Sequence, residues 1–327
     1  MPILTTDFSR LTDDLQSIFN EAAKRKTADM KGNQVFHVED TNRLTYDHLI
    51  MHGLGGIEEV AEGQDYPSIN TEQGDFITYT QRQFGGSFKV TKKMRKYDLY
   101  NQIRQLPKTL VRRAFDRIDQ SMADTLLYGW STTFTDVWAG TTTATGPDGL
   151  ALFSSVHSND TTSRTYSNLI VNAAGTADPV LSREAIVKTR ANALVLKDPE
   201  NNTTPVNLDT LIVSPSNEDL AERLLFSNLM SGTANNDTNA LKGKIKNLIV
   251  WERLQTRSDS TDTSNYWFMM DSSGKEETLK ALFAERPTLD APEEVYINKN
   301  WVYSCDFDYV LGIGYQAYLF GSRGTVA

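Results

Sequence analysis

Residues 106–128 constrain the fold of this chain more than any other stretch of its sequence. Apolar residues recur there every three or four positions, the spacing of one helix face: Val111, Phe115, Ile118, Met122 and Leu126. Pro107 suits a first helical turn, where its missing N–H costs nothing, and Gly129 follows as a stop signal. We therefore predict a helix over 106–128, roughly 30 Å long, whose stripe faces a core.

The segment before this helix is β-like but lacks apolar residues for a core of its own. Residues 76–80 and 87–91 are rich in β-branched and aromatic side chains, and Gly85-Gly86 lies between them. Few large aliphatic residues occur between Glu58 and Gln83. We predict that the two strands form a long projecting β-hairpin.

The rest of the chain predicts a mixture of helices and strands. Apolar spacing indicates an amphipathic helix over 7–25, loosely tethered and therefore expected to pack on a distant part of the chain. Further helices are expected over 182–197 and from a capping box at 216–219, and strands at 211–213, 245–251, 266–270 and 294–314. The predicted class is α+β, with the long helix beside a sheet and a mixed second domain.

Charge and cysteine content exclude several function classes. The formal net charge is −9, so tight nucleic-acid binding, which needs a basic face, is not expected. Cys305 is the only cysteine, which excludes an intrachain disulfide and a multi-cysteine metal site. No apolar run is long enough for a membrane helix, and the first residues lack the pattern of a secretory signal. We expect a protein that does not contact membranes.

Two neighbouring segments carry opposite charge. Residues 55–80 contain no Lys or Arg and carry Glu58, Glu59, Glu62, Asp65, Glu72 and Asp75. Residues 89–117 are strongly basic and include Lys92, Lys93, Arg95, Arg112, Arg113 and Arg117. This asymmetry indicates complementary surfaces, within one chain or between copies, although two separately solvated faces would give the same pattern.

Catalytic and metal-binding motifs are missing from the sequence. There is no phosphate-binding loop with its lysine and no G-x-S-x-G elbow. His48 and His52 have metal-ligand spacing on a helix, but no third ligand is evident. Ser154, Ser155, His157 and Asp160 suggest a hydrolase, yet triad members rarely lie so close in sequence. We expect a turn in which His157 bonds backbone, with no catalysis, cofactor or metal.

Three stretches together resemble a known family. They are Glu62-Gly-Gln-Asp-Tyr-Pro67 followed by Phe84-Gly-Gly-Ser-Phe-Lys-Val-Thr91, the Leu106-Pro107 helix, and Asp148-Gly-Leu-Ala-Leu-Phe-Ser-Ser-Val-His-Ser-Asn159. In this order and spacing they resemble the major head proteins of tailed phages, including the Mu-like head subunit group, which have the Hong Kong 97-type capsid fold. The resemblance covers residues 60–160 and is only general beyond them.

The resemblance implies a domain plan for the whole chain. Its parts are an N-terminal arm (1–50), an extended β-hairpin loop (51–93), a peripheral domain (94–175) with residues 106–128 as spine helix, an axial domain (176–275), strands returning to the peripheral domain (276–315), and a C-terminal segment returning to the axial domain (316–327). In such shells the extended loop reaches over a neighbouring subunit, which would pair the acidic residues above with the basic ones of another copy.

The implied function is a non-enzymatic major capsid protein of the virion, assembled in the host cytoplasm. Copies would form pentamers and hexamers of an icosahedral head that encloses double-stranded DNA without sequence-specific binding. Expected partners are the chain itself, a portal, a separate scaffolding protein and a decoration protein. The alternatives are an encapsulin-like compartment, a tail or decoration protein, and a hydrolase using Ser154 or Ser155 with His157.

Overall fold

The computed structural model contains the mixture of helices and strands that the sequence predicts. It describes residues 5–51, 59–60, 63–65, 73–97, 103–136, 140–159, 164–197, 203–229, 238–295 and 297–325. The α-helices in these ranges are α1 (Thr5–Asp29), α2 (Gly32–Val35), α3 (Lys92–Lys96), α4 (Gln105–Leu127), α5 (Arg183–Ala193), α6 (Glu218–Phe226) and α7 (Lys275–Thr278).

The strands are short except for one that runs through the larger sheet. They are β1 (His37–Asp40), β2 (Thr45–Met51), β3 (Gln73–Thr80), β4 (Arg82–Val90), β5 (Thr133–Asp136), β6 (Gly140–Thr143), β7 (His157–Asn159), β8 (Arg164–Tyr166), β9 (Thr210–Val213), β10 (Asn247–Val250), β11 (Trp267–Met270), β12 (Leu279–Glu285), β13 (Glu293–Val295), β14 (Asn300–Ile313) and β15 (Leu319–Ser322).

Helix α4 is the predicted long helix, and its bounds differ from the prediction by one residue at each end. All five residues of the apolar stripe are buried in the larger hydrophobic core, which confirms the inward direction of the stripe. Gly129 follows the helix, but its backbone is not left-handed, so it does not act as a conformational stop. A Cβ there would lie 2.6 Å from the Phe153 ring, so close packing explains the glycine.

Helix α1 packs against α4 of the same chain. This contact agrees with the prediction that the first helix packs on a distant part of the chain. Leu15 and Phe19 are fully buried in the shared core. The stretch after α1 forms α2 and β1. Strand β1 pairs in parallel with β12, a partner about 240 residues away, which a local sequence pattern cannot indicate.

The larger sheet is organised around β14. Strands β12 and β13 pair antiparallel with β14, and β4 also pairs with it, from Trp301 opposite Val90 to Tyr309 opposite Arg82. Aromatic rings cross the β4–β14 seam, with Phe88 stacked on Tyr303 at 5.0 Å and Phe84 at 4.9 Å from Tyr309. Helix α4 lies against this sheet, so the larger core is filled between helix and strands.

The predicted pairing of residues 76–80 with 87–91 is wrong. Those residues fall in β3 and β4, but β3 pairs with β2, from Thr45 opposite Thr80 to Met51 opposite Gln73. Strand β4 joins the larger sheet instead, and Gly85-Gly86 lies inside that strand rather than at a turn. The β-hairpin of this region is therefore β2–β3.

The smaller sheet has the order β10-β9-β11-β15 and forms a second core with α5 and α6. The Ser182 side chain caps α5 by accepting from the Ala185 N–H, as predicted, although the helix ends at Ala193 rather than near Lys197. The predicted capping box at Ser216 is wrong, because residues 215–217 form a short 3-10 helix and α6 begins at Glu218.

The strands of the two sheets come from different ranges of the predicted domain plan. Strands β9, β10 and β11 fall within residues 176–275 and lie in the smaller sheet, which β15 completes from the C-terminal segment. Strands β12, β13 and β14 fall within 276–315 and lie in the larger sheet. The domain boundaries themselves stay predictions.

Candidate subunit interface

A basic surface lies on the side of α3 and α4 that faces away from the core. Lys92 and Lys93 on α3 and Arg112 and Arg113 on α4 are exposed. The inward stripe of α4 includes Val111, so the two residues that follow it are turned toward solvent. Within the described part of the chain, no ion pair involves any of these four residues. Their charge is therefore not compensated by any described carboxylate.

Two of the predicted basic residues differ from these four. Arg117 is largely buried, its Nη2 lies 2.7 Å from Asp136 Oδ2, and its guanidinium lies 5.0 Å from the centre of the Phe84 ring. The charge of Arg117 is thus compensated inside its own chain. Arg95 lies on α3, and its side chain is outside the described residues.

In sequence, the predicted acidic residues fall between the end of β2 and the first half of β3. Glu59 and Asp65 are exposed, and Asp75 lies on β3 with its side chain outside the described residues. Glu58, Glu62 and Glu72 are also outside them. Among the ion pairs that the described residues form, none joins the acidic set to the basic set.

A groove opens between α4 and β4 beside the basic surface. It has a volume of about 460 Å³, and its apolar wall consists of Phe84, Leu110, Ala114, Cys305 and Phe307. Gly86 faces the helix at this point, and a Cβ on it would lie 3.3 Å from Leu110 Cδ1. The missing side chain therefore keeps the groove open. A glycine pair inside a strand is the sequence signal for such a site.

Charged groups surround the mouth of this groove. Arg253 pairs with Asp116 at 2.7 Å, and Arg117 pairs with Asp136 as described above. Arg113 also lines the groove and has no carboxylate partner among the described residues. The groove therefore combines an apolar wall with a net positive rim.

Sequence reasoning missed a buried carboxylate that connects three elements. Asp119 on α4 accepts hydrogen bonds from the Gly32 N–H at 3.1 Å and from Trp251 Nε1 at 3.2 Å, and Arg253 Nε lies 3.5 Å away. Burial raises the pKa of Asp119, while these hydrogen bonds and Arg253 oppose the rise. The arrangement is structural, because its partners are main-chain, indole and guanidinium groups within the fold.

His157 belongs to a buried polar network with Asp148 and Asn168, and neither of its ring nitrogens is hydrogen-bonded to Ser154 or Ser155. His157 is fully buried, with Nδ1 2.6 Å from Asp148 Oδ2 and Nε2 3.1 Å from Asn168 Oδ1. The predicted bond from His157 to backbone is therefore wrong, since both ring nitrogens face side chains. Ser154 Oγ accepts instead from the Val156 N–H, and Asp160 lies outside the described residues.

The other residues considered for chemistry have structural positions. His48 lies on strand β2 and not on a helix, and His52 is outside the described residues. No group of three metal-binding side chains occurs within the ranges described. Cys305 is buried as expected, and burial, with Asp306 and Asp290 nearby, raises its thiol pKa to about 12. No described helix has the length and apolarity to cross a bilayer.

Comparison with solved structures shows the fold. The chain is similar to the capsid of a native GTA particle, with a TM-score of 0.54 at 11% identity over 89% of both chains. It is also similar to the capsid of an empty GTA particle, with a TM-score of 0.52 at 11% identity over 90% of this chain and 89% of that one. A structure from Mycobacterium phage Adephagia gives 0.50 at 11% identity over 89% of each. The predicted α+β fold of Hong Kong 97 type is confirmed.

The fold is shared with subunits of the GTA particle capsids. A family model described as phage capsid protein matches residues 75–320, more than half of the chain. This chain belongs to the phage capsid protein family. A search of curated proteins gave no match. The family match favours the phage assignment over the encapsulin-like and hydrolase alternatives.

Proposed function

We propose that this chain is the major head subunit of a tailed phage and assembles as pentamers and hexamers into an icosahedral shell around double-stranded DNA. The observation that carries the proposal is the family match over residues 75–320, which spans both sheets. The net charge of −9 suits a container, because a protein that bound phosphates tightly would hold on to its contents.

The sequence resemblance supports more specific proposals about the family subgroup, the location and the partners of this chain. The chain is assigned to the Mu-like head subunit group and to the virion, with assembly in the host cytoplasm. Its expected partners are further copies of itself, a portal, a scaffolding protein and a decoration protein. The His157 network supports a non-catalytic role, because the imidazole is buried and its nitrogens face Asp148 and Asn168.

We propose that the acidic residues near the hairpin pair with the basic surface of a neighbouring subunit. Glu59 and Asp65 are exposed on one segment, and Arg112 and Arg113 are exposed on another, where no ion pair joins them to any described residue. A single exposed pair contributes only about 0.2–1 kcal/mol. A closed symmetric assembly repeats each contact many times, so small contributions add up across the shell.

Assembly of the wild-type chain is the direct test of the shell function. The chain would be expressed alone and with the neighbouring phage genes, and examined by light scattering and negative-stain microscopy. Closed shells, capsomers or curved sheets are the expected products. A compact monomer or dimer under both conditions would contradict the capsid function.

The charge contact is tested by reversing Arg112 and Arg113 to Glu together. We expect the yield of shells to fall severalfold while the subunit stays folded, because repulsion replaces attraction at every copy of the contact. A matched control is the double reversal Lys242→Glu/Lys244→Glu, which changes net charge equally on an exposed segment of the second domain. Shell yield is measured by sedimentation, and folding by circular dichroism.

Restoration of assembly would identify the acidic partners. The Arg112→Glu/Arg113→Glu chain is combined with Glu59→Lys and Asp65→Lys, so that opposite charges meet again. Recovery of shells supports direct pairing. Normal shells from the Arg112→Glu/Arg113→Glu chain alone would show that the contact does not contribute.

A further inference from the structure

The tip of the β13–β14 hairpin exposes an aliphatic side chain almost completely. Ile297 is 93% exposed, the highest value of any large hydrophobic residue among those described. Glu293 and Glu294 on β13 are also exposed, and no ion pair within the described ranges involves them. The tip is an apolar knob with negative charge beside it.

The groove between α4 and β4 has the complementary character. Its wall is apolar, the absent side chain of Gly86 keeps it open, and Arg113 stands at its rim without a carboxylate partner in the described chain. Burial of an isolated aliphatic side chain in such a groove is favourable, and the two glutamates would then lie near unpaired positive charge.

The knob of one chain cannot enter its own groove. Ile297 lies in the turn immediately before Asn300, the first residue of β14, while the groove wall includes Cys305 and Phe307 of the same strand. Five residues of strand separate Asn300 from Cys305, which corresponds to about 17 Å. Strand β14 is held at this length by pairing with β4 and β12, so the hairpin cannot fold back.

We propose that Ile297 of one subunit occupies the α4–β4 groove of a second copy of this chain, with Glu293 and Glu294 directed toward that copy's Arg113. Arg112 is exposed and does not line the groove, so it remains for the acidic residues near the β2–β3 hairpin. Knob and groove are different patches of one surface, so the contact is head-to-tail. Such contacts generate rings or extended arrays rather than isolated dimers, as a shell lattice requires. The inference rests on the proposed function and names a specific contact within it.

Disulfide cross-linking tests the contact on assembled particles. Ile297→Cys and Arg113→Cys are introduced into the same chain, and the particles are oxidised and separated under denaturing, non-reducing conditions. We expect a ladder of trimers and larger species, because each copy joins two neighbours, whereas each single variant gives no species beyond a dimer. All these variants also carry Cys305→Ala, because the native thiol lies in the groove wall and would otherwise react with an introduced cysteine.

A second cysteine pair distinguishes the occupant. Phe76 is 63% exposed on the β2–β3 hairpin and directly follows Asp75. A ladder from Phe76→Cys with Arg113→Cys, and none from Ile297→Cys with Arg113→Cys, assigns the groove to the β2–β3 hairpin and overturns the proposal. If both double-cysteine variants form shells like those of the wild type but neither gives a ladder, the proposed contact is also overturned. The proposed function would then still stand.

Filling the groove is an independent test with a matched control. Gly86→Val places a side chain against the flexible end of Leu110, whereas Gly85→Val points to the opposite face, where a Cβ meets Asp306 at ordinary contact distance. We expect Gly86→Val and Ile297→Asp to lower particle yield about tenfold or more, and Gly85→Val and Ile297→Val to assemble normally. Equal yields from Gly86→Val and Gly85→Val, with both subunits folded, would refute the contact.

Discussion

At the scale of single residues, Asp119 connects parts of the chain that are far apart in sequence. Its carboxylate receives the Gly32 N–H and the Trp251 indole N–H, and it lies near the Arg253 guanidinium. Gly32 also packs closely on α4, because a Cβ there would lie within contact distance of Met122. One carboxylate thus fixes the segment after α1 and the end of β10 to the middle of α4.

Removal of this carboxylate is expected to destabilise the unassembled subunit. Asp119→Ala leaves two buried N–H donors without acceptors, which costs about 1–3 kcal/mol for each unsatisfied group. The control is Asp116→Ala, one turn earlier on α4, where the pair with Arg253 is partly exposed and contributes about 1 kcal/mol or less. Urea denaturation measures both variants, and similar losses in the free energy of unfolding would contradict the anchoring role.

At the scale of elements, the end of α4 depends on packing against the segment around Phe153. Gly129 meets the Phe153 ring, and the Phe153 N–H donates to the Gly129 carbonyl oxygen at 2.7 Å. The Phe153 ring is also stacked on Phe268, at 5.5 Å between ring centres, which links α4 to the smaller sheet. A side chain at residue 129 would push these rings apart.

Gly129→Ala is therefore expected to lower thermal stability, although alanine is the better helix former. The added methyl group overpacks the site, at a cost of about 1–3 kcal/mol. Gly85→Ala serves as the control, because a Cβ there finds ordinary contacts. The double variant Gly129→Ala/Phe153→Leu should recover part of the loss in a thermal melt, and additive losses would show that the two residues do not interact.

The elements also show which predictions a sequence supports. Helix α4 was predictable because its apolar stripe repeats within a few residues and needs no knowledge of a partner. The strands at 76–80 and 87–91 were also recognisable, but their partners were not, since β4 pairs with residues 301–309, more than 200 positions away. Alternation identifies a strand and one face of it, not the strand beside it.

The candidate contact residues also divide into those that local periodicity predicts and those that depend on a distant partner. The exposed positions of Arg112 and Arg113 could be inferred from the helix periodicity of α4, whereas the burial of Arg117 could not, because its partner Asp136 lies beyond the end of the helix. The Asp119 and His157 networks were missed for the same reason, since their members meet only after distant segments pack.

At the scale of the whole molecule, a buried polar network joins the segment around Asp148 to Gln316, which lies 168 residues further along the chain. Asp148 accepts from His157 Nδ1, from the Leu150 N–H at 3.1 Å and from Gln316 Nε2 at 3.0 Å. Asn168 donates to the Leu152 carbonyl oxygen at 2.6 Å. The network holds the region around Phe153 against the strand that completes the smaller sheet.

This network gives an expected pH dependence. Burial raises the pKa of Asp148, but the hydrogen bond and charge of His157, with the Leu150 and Gln316 bonds, outweigh it and lower the pKa below the ordinary value. A depressed folded-state pKa contributes stability above the unfolded value of about 3.9. That stability is lost as pH falls through the lower folded pKa.

Asp148→Asn should therefore have a lower free energy of unfolding than wild type at about pH 5.5. The difference between the two free energies should become smaller as the pH falls toward about 3. Urea denaturation across this range measures the gap between the two free energies of unfolding. Ser158→Ala, a small change on strand β7, serves as the control for loss of stability at low pH that does not depend on Asp148. A gap that stays constant with pH would contradict the ionised role of Asp148.

The parallel pairing of β1 with β12 also sets the order in which the chain can fold. His37 pairs with Lys280, so the strand that follows the first helices has no partner until the last fifth of the chain has been synthesised. Closing so long a loop is slow, because its entropy must be overcome before the contact stabilises anything. During synthesis helix α1 can pack on α4 early, whereas strand β1 waits until the ribosome has reached β12, so completion of the larger sheet is a late folding event.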